Sequence, residues 1–308
     1  MKVLVTGGAG FIGSHLSTAL IAQGDQVTVV DNLSTGTRSF VPPEARFIEA
    51  DILVPDTWKN VVGAVDAVIH LAAQISVPLS ETYPMEDLRT NLQGTLTMLE
   101  TASFLGAREF RLASSAAVYG DVLSLPLREL GPWHPISFYG LNKWAAEQYL
   151  LHWATTHEMT GIALRLANVY GPRQRTAGEG GVVAMFCEAL ASGTTLTVHG
   201  DGSQTRDFIA VQDVAQAFLH RLGNPGPSAV YNVSTGTTTS VLDLIEVLRA
   251  VSRQDVRFLT VEPRIGDIHD SLLSTALAEQ WGFRAQTPLA QGLEETWRYF
   301  QQIRREFR

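Results

Sequence analysis

The chain has 308 residues, of which 45% are hydrophobic, and a formal net charge of -8 at pH 7. This length suffices for one large or two smaller domains with a sizeable core, and the acidic balance excludes a broadly basic nucleic-acid binder. The single cysteine, Cys187, excludes an intramolecular disulfide. We expect a cytoplasmic protein without a targeting segment or a membrane span.

Short apolar runs alternate with helical patterns through the first half of the chain. Continuous apolar runs of this kind are typical of parallel strands that helices cover on both faces. The alternation predicts an α/β fold with a doubly wound parallel sheet, which binds ligands at the carboxyl ends of its strands. The predicted strands are Val3–Val5, Gln26–Val30, Arg46–Ala50, Ala67–Leu71, Glu109–Ala113 and Gly161–Leu166, and the predicted helices span 11–23, 56–63, 84–105 and 140–157.

The pattern changes after about residue 168, where glycine and proline become frequent and the regular alternation weakens. We predict a first domain over residues 1–167 and a smaller α/β lobe over residues 168–308, with some segments returning to the first domain. By analogy with other nucleotide-binding folds, the second lobe is expected to bind the substrate.

A glycine-rich stretch follows the first predicted strand and opens the first predicted helix. Gly8, Gly10 and Gly13 match the spacing G-x-G-x-x-G, and Gly7, Gly10 and Gly13 match G-x-x-G-x-x-G. Glycines let the backbone turn tightly and approach a pyrophosphate, which the free N–H groups of the helix N-terminus then bind. The stretch predicts the dinucleotide turn of a Rossmann domain. The alternative is a tight turn without a ligand.

An aspartate, Asp31, ends the second predicted strand, 18 residues after Gly13. A carboxylate at this position accepts hydrogen bonds from a ribose 2′-hydroxyl and repels a 2′-phosphate, so it favours NAD over NADP. The alternative is an acidic turn residue before Asn32. Asp51 and Ile52 follow the third strand and are candidates for contact with the adenine.

Tyr139 and Lys143 form the pattern Y-x-x-x-K at the start of a predicted helix. Residues i and i+4 share a helix face, so the ammonium can favour the phenolate and make the tyrosine a usable base. Ser114 and Ser115 follow the fifth predicted strand and are expected at the same sheet edge as the glycine turn. The alternatives are a solvated lysine on a surface helix and a turn at a strand end.

Nine stretches that match one known family occur in order along nearly the whole chain. They are TGGAGFIGSH (6–15), VVDNLSTG (29–36), HLAAQ (70–74), TNLQGT (90–95), SSAAVYG (114–120), SFYGLNK (137–143), LRLANVYGPRQ (164–174), GDGSQTRDFI (200–209) and GDIHDSLL (266–273). On these stretches the chain resembles the extended short-chain dehydrogenase/reductases. Within that superfamily it resembles the nucleotide-sugar epimerases of the UDP-glucose 4-epimerase type.

The resemblance implies an isomerase that inverts the 4-hydroxyl of a UDP-hexose through a 4-keto intermediate, with NAD as cofactor and without a metal ion. The implied catalytic residues are Tyr139 as the base, Lys143 as its helper and Ser115 as a hydrogen-bond partner of the 4-oxygen. Lys143 is also expected to hold the nicotinamide ribose. The implied cofactor-binding residues are Gly7, Gly10, Phe11, Ile12, Gly13, Asp31, Asn32, Ser34, Thr35, Gly36, Asp51, Ile52, Leu71, Ala72, Ala73, Gln74, Asn91, Ser114, Tyr139 and Lys143.

The resemblance implies that the second lobe binds a nucleoside diphosphate. The charge of a diphosphate requires local cations, and arginine gives bidentate contacts to phosphate. The alternative for each arginine is a solvated surface charge. The substrate-binding residues that the resemblance implies are Ser115, Tyr139, Asn168, Val182, Arg206, Arg264 and Asp267.

Several alternatives remain for the sugar and for the type of reaction. Related dehydratases and decarboxylases carry an acid just after the active-site hydroxyl, and Ala116 and Ala117 stand there in this chain. Ser271 aligns with a residue that sets sugar size, and as a small residue it permits UDP-GlcNAc and UDP-GalNAc. Arg173 and Arg175 are candidates for binding a carboxylate, so a UDP-glucuronate 4-epimerase is a further alternative. A net dehydrogenase and a non-catalytic NAD-sensing protein are the remaining alternatives.

The predicted helices over 84–105 and 140–157 carry apolar residues on more than one face. The residues are Leu92, Leu96, Leu99, Trp144, Leu150, Leu151 and Trp153. In the resembling family such helices pair across a two-fold axis, so a homodimer is expected, and burial within one chain is the alternative. No nucleic-acid or membrane partner is expected.

Overall fold

Thirteen strands and eleven α-helices form in the part of the chain that the computed structural model describes, residues 1–122, 124–176, 181–263 and 268–306. The strands are β1 (Lys2–Thr6), β2 (Gln26–Asp31), β3 (Arg46–Glu49), β4 (Ala67–His70), β5 (Glu109–Ser115), β6 (Thr160–Leu166), β7 (Asn168–Tyr170), β8 (Leu196–His199), β9 (Thr205–Arg206), β10 (Phe208–Ala210), β11 (Ala229–Val233), β12 (Thr239–Ser240) and β13 (Phe258–Val261). The helices are α1 (Phe11–Ala22), α2 (Lys59–Val62), α3 (Val77–Thr82), α4 (Pro84–Asp87), α5 (Gly94–Phe104), α6 (Phe138–Thr156), α7 (Val182–Ser192), α8 (Val211–Leu219), α9 (Val241–Ser252), α10 (Ala276–Trp281) and α11 (Leu289–Glu306).

The chain divides into two compact units that are interleaved in sequence. The first contains residues 1–121, 129–166 and 215–232, and the second contains residues 122–128, 167–214 and 233–308. The predicted boundary between residues 167 and 168 stays a prediction, and it did not name the segments 122–128 and 215–232.

The first unit is built on a seven-stranded sheet with the order β11-β6-β5-β4-β1-β2-β3. From β1 the chain continues to β2 and β3 on one side and then crosses to β4, β5 and β6 on the other, and these six strands pair in parallel. The order therefore reverses between β1 and β4, where doubly wound sheets bind ligands. The predicted α/β fold with a doubly wound parallel sheet is confirmed.

Burial explains why the strands of this sheet are short apolar runs. Val3, Leu4 and Val5 of β1 are buried, as are all four residues of β4. Helix α5 packs on one face through Met98 and Leu99. Each fully buried aliphatic side chain stabilises the fold by about 1.5–3 kcal/mol relative to an exposed one. Because this burial needs both the strands and the helices that cover them, the sheet and its covering helices form together.

Two predicted helices of the first unit are wrong in detail. The predicted helix over 56–63 is a 3₁₀ turn, Pro55–Thr57, followed by the four-residue α2, which ends at Gly63 with φ of 78°. The predicted helix over 84–105 is interrupted between α4 and α5 by a π-helical turn, Leu88–Gln93. Such turns widen a helix locally and often mark functional positions.

The second unit surrounds a hydrophobic cluster of its own with three two-stranded sheets. In these sheets β7 pairs with β10 and β8 pairs with β13 in parallel, whereas β9 and β12 are antiparallel. Helices α7, α9 and α11 supply the cluster with residues such as Phe186, Leu248 and Trp297. No helix within the ranges described above is both long and apolar enough to cross a membrane.

A buried ion pair joins β6 to α6 in the first unit. Arg165 Nη2 lies 2.7 Å from Glu147 Oε2, and both side chains are almost fully buried. Arg165 also donates to the hydroxyl of Tyr119 at 3.0 Å and to the carbonyl of Glu129 at 3.1 Å. Because the guanidinium is satisfied by several acceptors, the pair can stay charged inside the protein.

Arg165→Met should leave Glu147 as an uncompensated buried charge. We expect the free energy of unfolding, measured by urea denaturation, to fall by about 3–5 kcal/mol. The double variant Arg165→Met/Glu147→Gln should regain part of this loss, because it leaves no unpaired charge. The control Arg257→Met removes an exposed pair with Asp255 and should change stability by less than about 1 kcal/mol. Equal losses in the single and double variants would contradict the role of the ion pair.

Candidate active site

The glycine turn joins β1 to α1 and requires glycine at two of its positions. Gly7 has φ of +70°, and a Cβ there would lie 2.7 Å from the backbone nitrogen of Ala72. A Cβ on Gly13 would lie 2.2 Å from the carbonyl oxygen of Gly7. Helix α1 then begins at Phe11 without a side-chain cap or an acidic residue in its first turn. Its first N–H groups therefore form a site for an anion, as a dinucleotide turn needs.

Asp31 ends β2 beside the glycine turn and is nearly buried. Its Oδ2 accepts a hydrogen bond from the backbone N–H of Ala9 at 3.0 Å, and its Oδ1 accepts one from that of Leu33 at 2.8 Å. A Cβ on Gly36 would lie 2.9 Å from Oδ1, so the following loop passes close to the carboxylate. The two backbone donors fix this carboxylate at the end of the strand.

A single groove in the first unit brings most of the predicted cofactor residues together. Residues from the ends of β1, β2, β4 and β5 meet there because the strands are parallel and present their carboxyl ends at one edge of the sheet. The predicted residues that line the groove are Gly7, Gly10, Phe11, Ile12, Gly13, Asp31, Asn32, Ser34, Thr35, Asp51, Ile52, Leu71, Ala72, Ala73, Ser114, Tyr139 and Lys143.

Three predicted cofactor residues do not line this groove. Gly36 lies behind the carboxylate of Asp31. The side-chain amide of Gln74 donates to Asp87 Oδ1 at 2.7 Å. Asn91 holds the backbone of Gln74, accepting from its N–H at 3.1 Å and donating to its carbonyl at 2.9 Å. Gln74 and Asn91 therefore support the loop after β4 from behind.

Sequence reasoning also missed several lining residues. Some of them stand at or next to strand ends, so the rule that ligands bind at the carboxyl edge was sufficient to find them. Ile75 and Thr90 lie in a loop and in the π-helical turn, and no local pattern marks them. The missed lining residues are Val30, Ala50, Leu53, Ile75, Thr90, Ala113 and Leu166.

Tyr139 and Lys143 lie on the first turns of α6, which begins at Phe138 because Ser137 caps it and accepts from the N–H of Gly140 at 3.0 Å. Tyr139 is half-buried, and Lys143 is only 4% exposed. Lys143 Nζ donates to the carbonyl of Ala113 at 3.0 Å and lies 5.9 Å from the ring centroid of Tyr139. The predicted pair therefore shares one face of the helix and one groove.

Burial lowers the pKa of Lys143 to about 8, although the negative charges of Asp87 and Glu147 act to raise it. The side chain is an ammonium below this pH and loses its charge as the pH rises through it. The ammonium form favours a phenolate on Tyr139.

The two serines at the end of β5 have different partners. Ser115 Oγ accepts a hydrogen bond from the N–H of Ala117 at 3.1 Å, which leaves its own proton for donation to another oxygen. Ser114 lines the groove, but its hydroxyl donates to Glu147. The predicted contact of Ser114 with the cofactor and the predicted catalytic role of Ser115 stay predictions.

Three predicted substrate residues belong to the second unit. Asn168 begins β7 with its side chain exposed, and Val182 begins α7, partly buried against the hydrophobic cluster. Arg206 Nη1 donates to the carbonyls of Thr205 and His269, both at 2.9 Å. The predicted residues Arg264 and Asp267 lie outside the described residues.

His70 ends β4 and is buried close to Lys143. Its Nδ1 lies 2.7 Å from Thr6 Oγ1, which ties β4 to β1. Burial, with the positive charge of Lys143 as a second cause, lowers the pKa of His70 to about 3. The imidazole is therefore neutral at physiological pH and adds no positive charge to the groove.

The sheet, the glycine turn and the Tyr–Lys pair define the chain as an extended short-chain dehydrogenase/reductase. It belongs to the NAD dependent epimerase/dehydratase family, whose profile matches residues 3–234. The chain is 38% identical to the UDP-glucose 4-epimerase of Mycolicibacterium smegmatis over 309 residues, covering 97% of this chain and 98% of that protein.

Two solved structures are similar over nearly the full length. The UDP-glucose 4-epimerase of Thermotoga maritima with UDP-glucose has a TM-score of 0.95 and 38% identity, covering 98% of this chain and 99% of that one. The UDP-glucose 4-epimerase of Thermus thermophilus in complex with NAD has a TM-score of 0.89 and 36% identity, covering 97% and 99%.

His70→Asn should reduce the loss of stability in acid. The pKa of His70 is about 3 in the folded protein and 6.5 in the unfolded chain, so between these pH values the unfolded chain binds one more proton. Folding stability therefore falls as the pH drops through this window, by about 1.4 kcal/mol per pH unit from this residue. Urea denaturation between pH 6.5 and 4.5 should give a shallower slope for His70→Asn. The control, exposed His152→Asn, should keep the wild-type slope, and parallel curves for His70→Asn would contradict the assignment.

Proposed function

We propose that this protein inverts the C4 hydroxyl of a UDP-hexose, with NAD as cofactor and UDP-glucose and UDP-galactose as its substrate pair. The observation that carries this proposal is that the Tyr139–Lys143 pair and the glycine turn line one groove. The UDP-glucose and the NAD held by the two similar structures support it.

The chemistry of the groove fits a dinucleotide. The uncapped N-terminus of α1 suits a pyrophosphate, and glycines at positions 7 and 13 leave the backbone free to approach it. Asp31 supplies a carboxylate at the strand end, which binds ribose hydroxyls and repels a 2′-phosphate. NAD held by these residues would supply hydride chemistry, accepting the C4 hydrogen of the sugar and giving it back to the opposite face.

Tyr139 moves the proton of the reaction. As a phenolate it takes the proton of the sugar 4-hydroxyl. After the 4-keto sugar has rotated in the site, Tyr139 returns a proton to the same oxygen. Lys143 stabilises the phenolate through its charge, and Ser115 donates a hydrogen bond to the same oxygen. We infer that Arg206, Asn168 and Val182 bind the nucleotide part of the substrate, which leaves the sugar free to turn.

The residues after Ser115 favour epimerisation over elimination. A dehydratase needs an acid that protonates a leaving hydroxyl, and Ala116 and Ala117 have no titratable group. The ketone formed at C4 therefore has no neighbouring acid at these positions to expel a substituent. Return of the proton from Tyr139 is the step that this set of residues supports.

The test is to incubate the purified protein separately with UDP-glucose, UDP-GlcNAc and UDP-glucuronate, with and without added NAD, and to follow C4 by proton NMR. We expect UDP-galactose to appear from UDP-glucose without net formation of NADH. Tyr139→Phe should lower the rate by at least about 100-fold, whereas Tyr83→Phe, at an exposed position outside the groove, should not. NADH formed in proportion to product would establish a dehydrogenase instead. Conversion of only one of the other two sugars would reassign the substrate.

We further propose that the protein works as a homodimer. Leu99 and Leu150, two of the residues on which the dimer was predicted, are buried in the core and serve the single chain. Other apolar side chains of α4, the π-helical turn and α6 are exposed: Met85, Leu88, Leu141 and Tyr149. Exposed apolar side chains on adjacent helices are typical of an interface.

Light scattering should give twice the chain mass of 33.6 kDa. Leu141→Glu places a charge in the interface and should reduce the mass to that of one chain. The control Leu259→Glu, at an exposed position on β13, should remain a dimer. A wild-type mass of one chain would contradict the proposed dimer.

We place the protein in the cytoplasm. Its one cysteine, Cys187, is a free thiol buried in the core of the second unit, and burial raises its pKa to about 12. A thiol of this kind serves packing, as is usual in a reducing compartment.

A further inference from the structure

The charge of Lys143 needs a partner inside the protein. The side chain is 4% exposed, and its Nζ donates a hydrogen bond to a neutral carbonyl, that of Ala113, at 3.0 Å. Burying an ammonium is costly unless an opposite charge compensates it. Two buried carboxylates, Asp87 and Glu147, favour its charged form.

Glu147 is committed to another cation. Its Oε2 forms the ion pair with Arg165 Nη2 at 2.7 Å, and its Oε1 accepts from Arg165 Nε at 2.9 Å. Oε1 also accepts the hydroxyl hydrogen bond of Ser114. The guanidinium therefore compensates the charge of Glu147 and weakens its attraction for Lys143.

Asp87 is held only by neutral groups. The side chain is 1% exposed, and its Oδ1 accepts from Gln74 Nε2 at 2.7 Å and from Asn91 Nδ2 at 2.8 Å. Its Oδ2 accepts from Asn142 Nδ2 at 2.7 Å. Across the described ranges, none of the ion pairs includes Asp87.

The remaining titratable groups near Lys143 do not replace Asp87. His70 is neutral at physiological pH, because burial lowers its pKa to about 3. Of the two carboxylates whose charges act on Lys143, Glu147 is paired with Arg165, whereas Asp87 belongs to no ion pair in the described residues. The two belong to neighbouring helices, α6 and α4, which the bond between Asn142 and Asp87 joins.

We propose that Asp87 is a positioning residue of the active site, whose buried carboxylate keeps Lys143 charged beside Tyr139. The same carboxylate gathers three side-chain amides, from the loop after β4, the π-helical turn and α6. It thereby fixes the loop that lines the groove to the helix that carries the catalytic pair. The importance of this role for the reaction rests on the proposed function of Lys143, but the charge pairing itself does not.

The chain has only three lysines, Lys2, Lys59 and Lys143, so lysine-selective NMR can follow each ammonium directly. Protein labelled with ¹³C and ¹⁵N at lysine is titrated without substrate, and Lys143→Arg assigns the Lys143 signal. In the wild type we expect a midpoint at about pH 8. Asp87→Asn should move this midpoint to lower pH by at least about one pH unit, because the ammonium loses its counter-charge.

Two control variants separate charge from structure. Glu86→Gln removes one negative charge from the neighbouring exposed position on α4 and should leave the midpoint in place, because solvent screens that charge. In the swap variant Asp87→Asn/Asn142→Asp the carboxylate stands at the other end of the same hydrogen bond, and the midpoint should return toward the wild-type value. An unmoved midpoint in Asp87→Asn, or equal shifts in Asp87→Asn and Glu86→Gln, would overturn the proposal.

If Asp87→Asn fails to fold, a variant that lacks the charges of both Lys143 and Asp87 still tests the proposal. Lys143→Met/Asp87→Asn should fold, because it removes both members of the charge pair and leaves neither of them uncompensated. If both Asp87→Asn and this double variant fail to fold, the role of Asp87 is structural and the proposal is wrong.

Enzyme assays then connect the charge to the reaction. In Asp87→Asn the loss of kcat/KM at alkaline pH should begin at lower pH, in step with the Lys143 signal, whereas Glu86→Gln should keep the wild-type profile. A shifted NMR midpoint in a protein that epimerises none of the sugars would leave the charge pairing intact and refute only the proposed function.

Discussion

The active site depends on a buried ammonium. Lys143 lies beneath the groove, held by the carbonyl of Ala113 at the end of β5, so its position follows the sheet. Its environment balances burial, which favours the neutral amine, against two carboxylates that favour the ammonium. This balance brings the pKa of the side chain to about 8, so a modest change in the surroundings alters its charge near neutral pH.

The parallel sheet brings residues that are distant along the chain close together in space. The glycine turn after β1, Asp31 at the end of β2, the loop after β4 and Ser114 at the end of β5 all stand at carboxyl ends of strands, so they meet at one edge. The rigid core beneath them sets their spacing. The polar groups that face this core, such as Glu147 and Arg165, are satisfied by one another.

Much of the fold and of the groove could be predicted from local patterns. Buried parallel strands are apolar throughout, and a pyrophosphate turn needs glycine, so both leave marks in the sequence. The helix over 56–63 was wrong because the backbone leaves the helical region at Trp58, with φ of -139° and ψ of -23°, between the 3₁₀ turn and α2. The π-helical turn has no local signature. It contains Asn91, whose bonds with Gln74 and Asp87 arise only in the packed structure.

The sequence by itself determined the doubly wound sheet, the dinucleotide turn and the helix that carries Tyr139 and Lys143, because each follows from spacing along a single stretch of chain. The tertiary structure alone decided that Ser114 turns to Glu147, that Gln74 turns to Asp87 and that Asp87 is left to balance the charge of Lys143. Charge pairing in a core depends on which groups are excluded from water together. That is a property of the packed chain, and residue order does not show it.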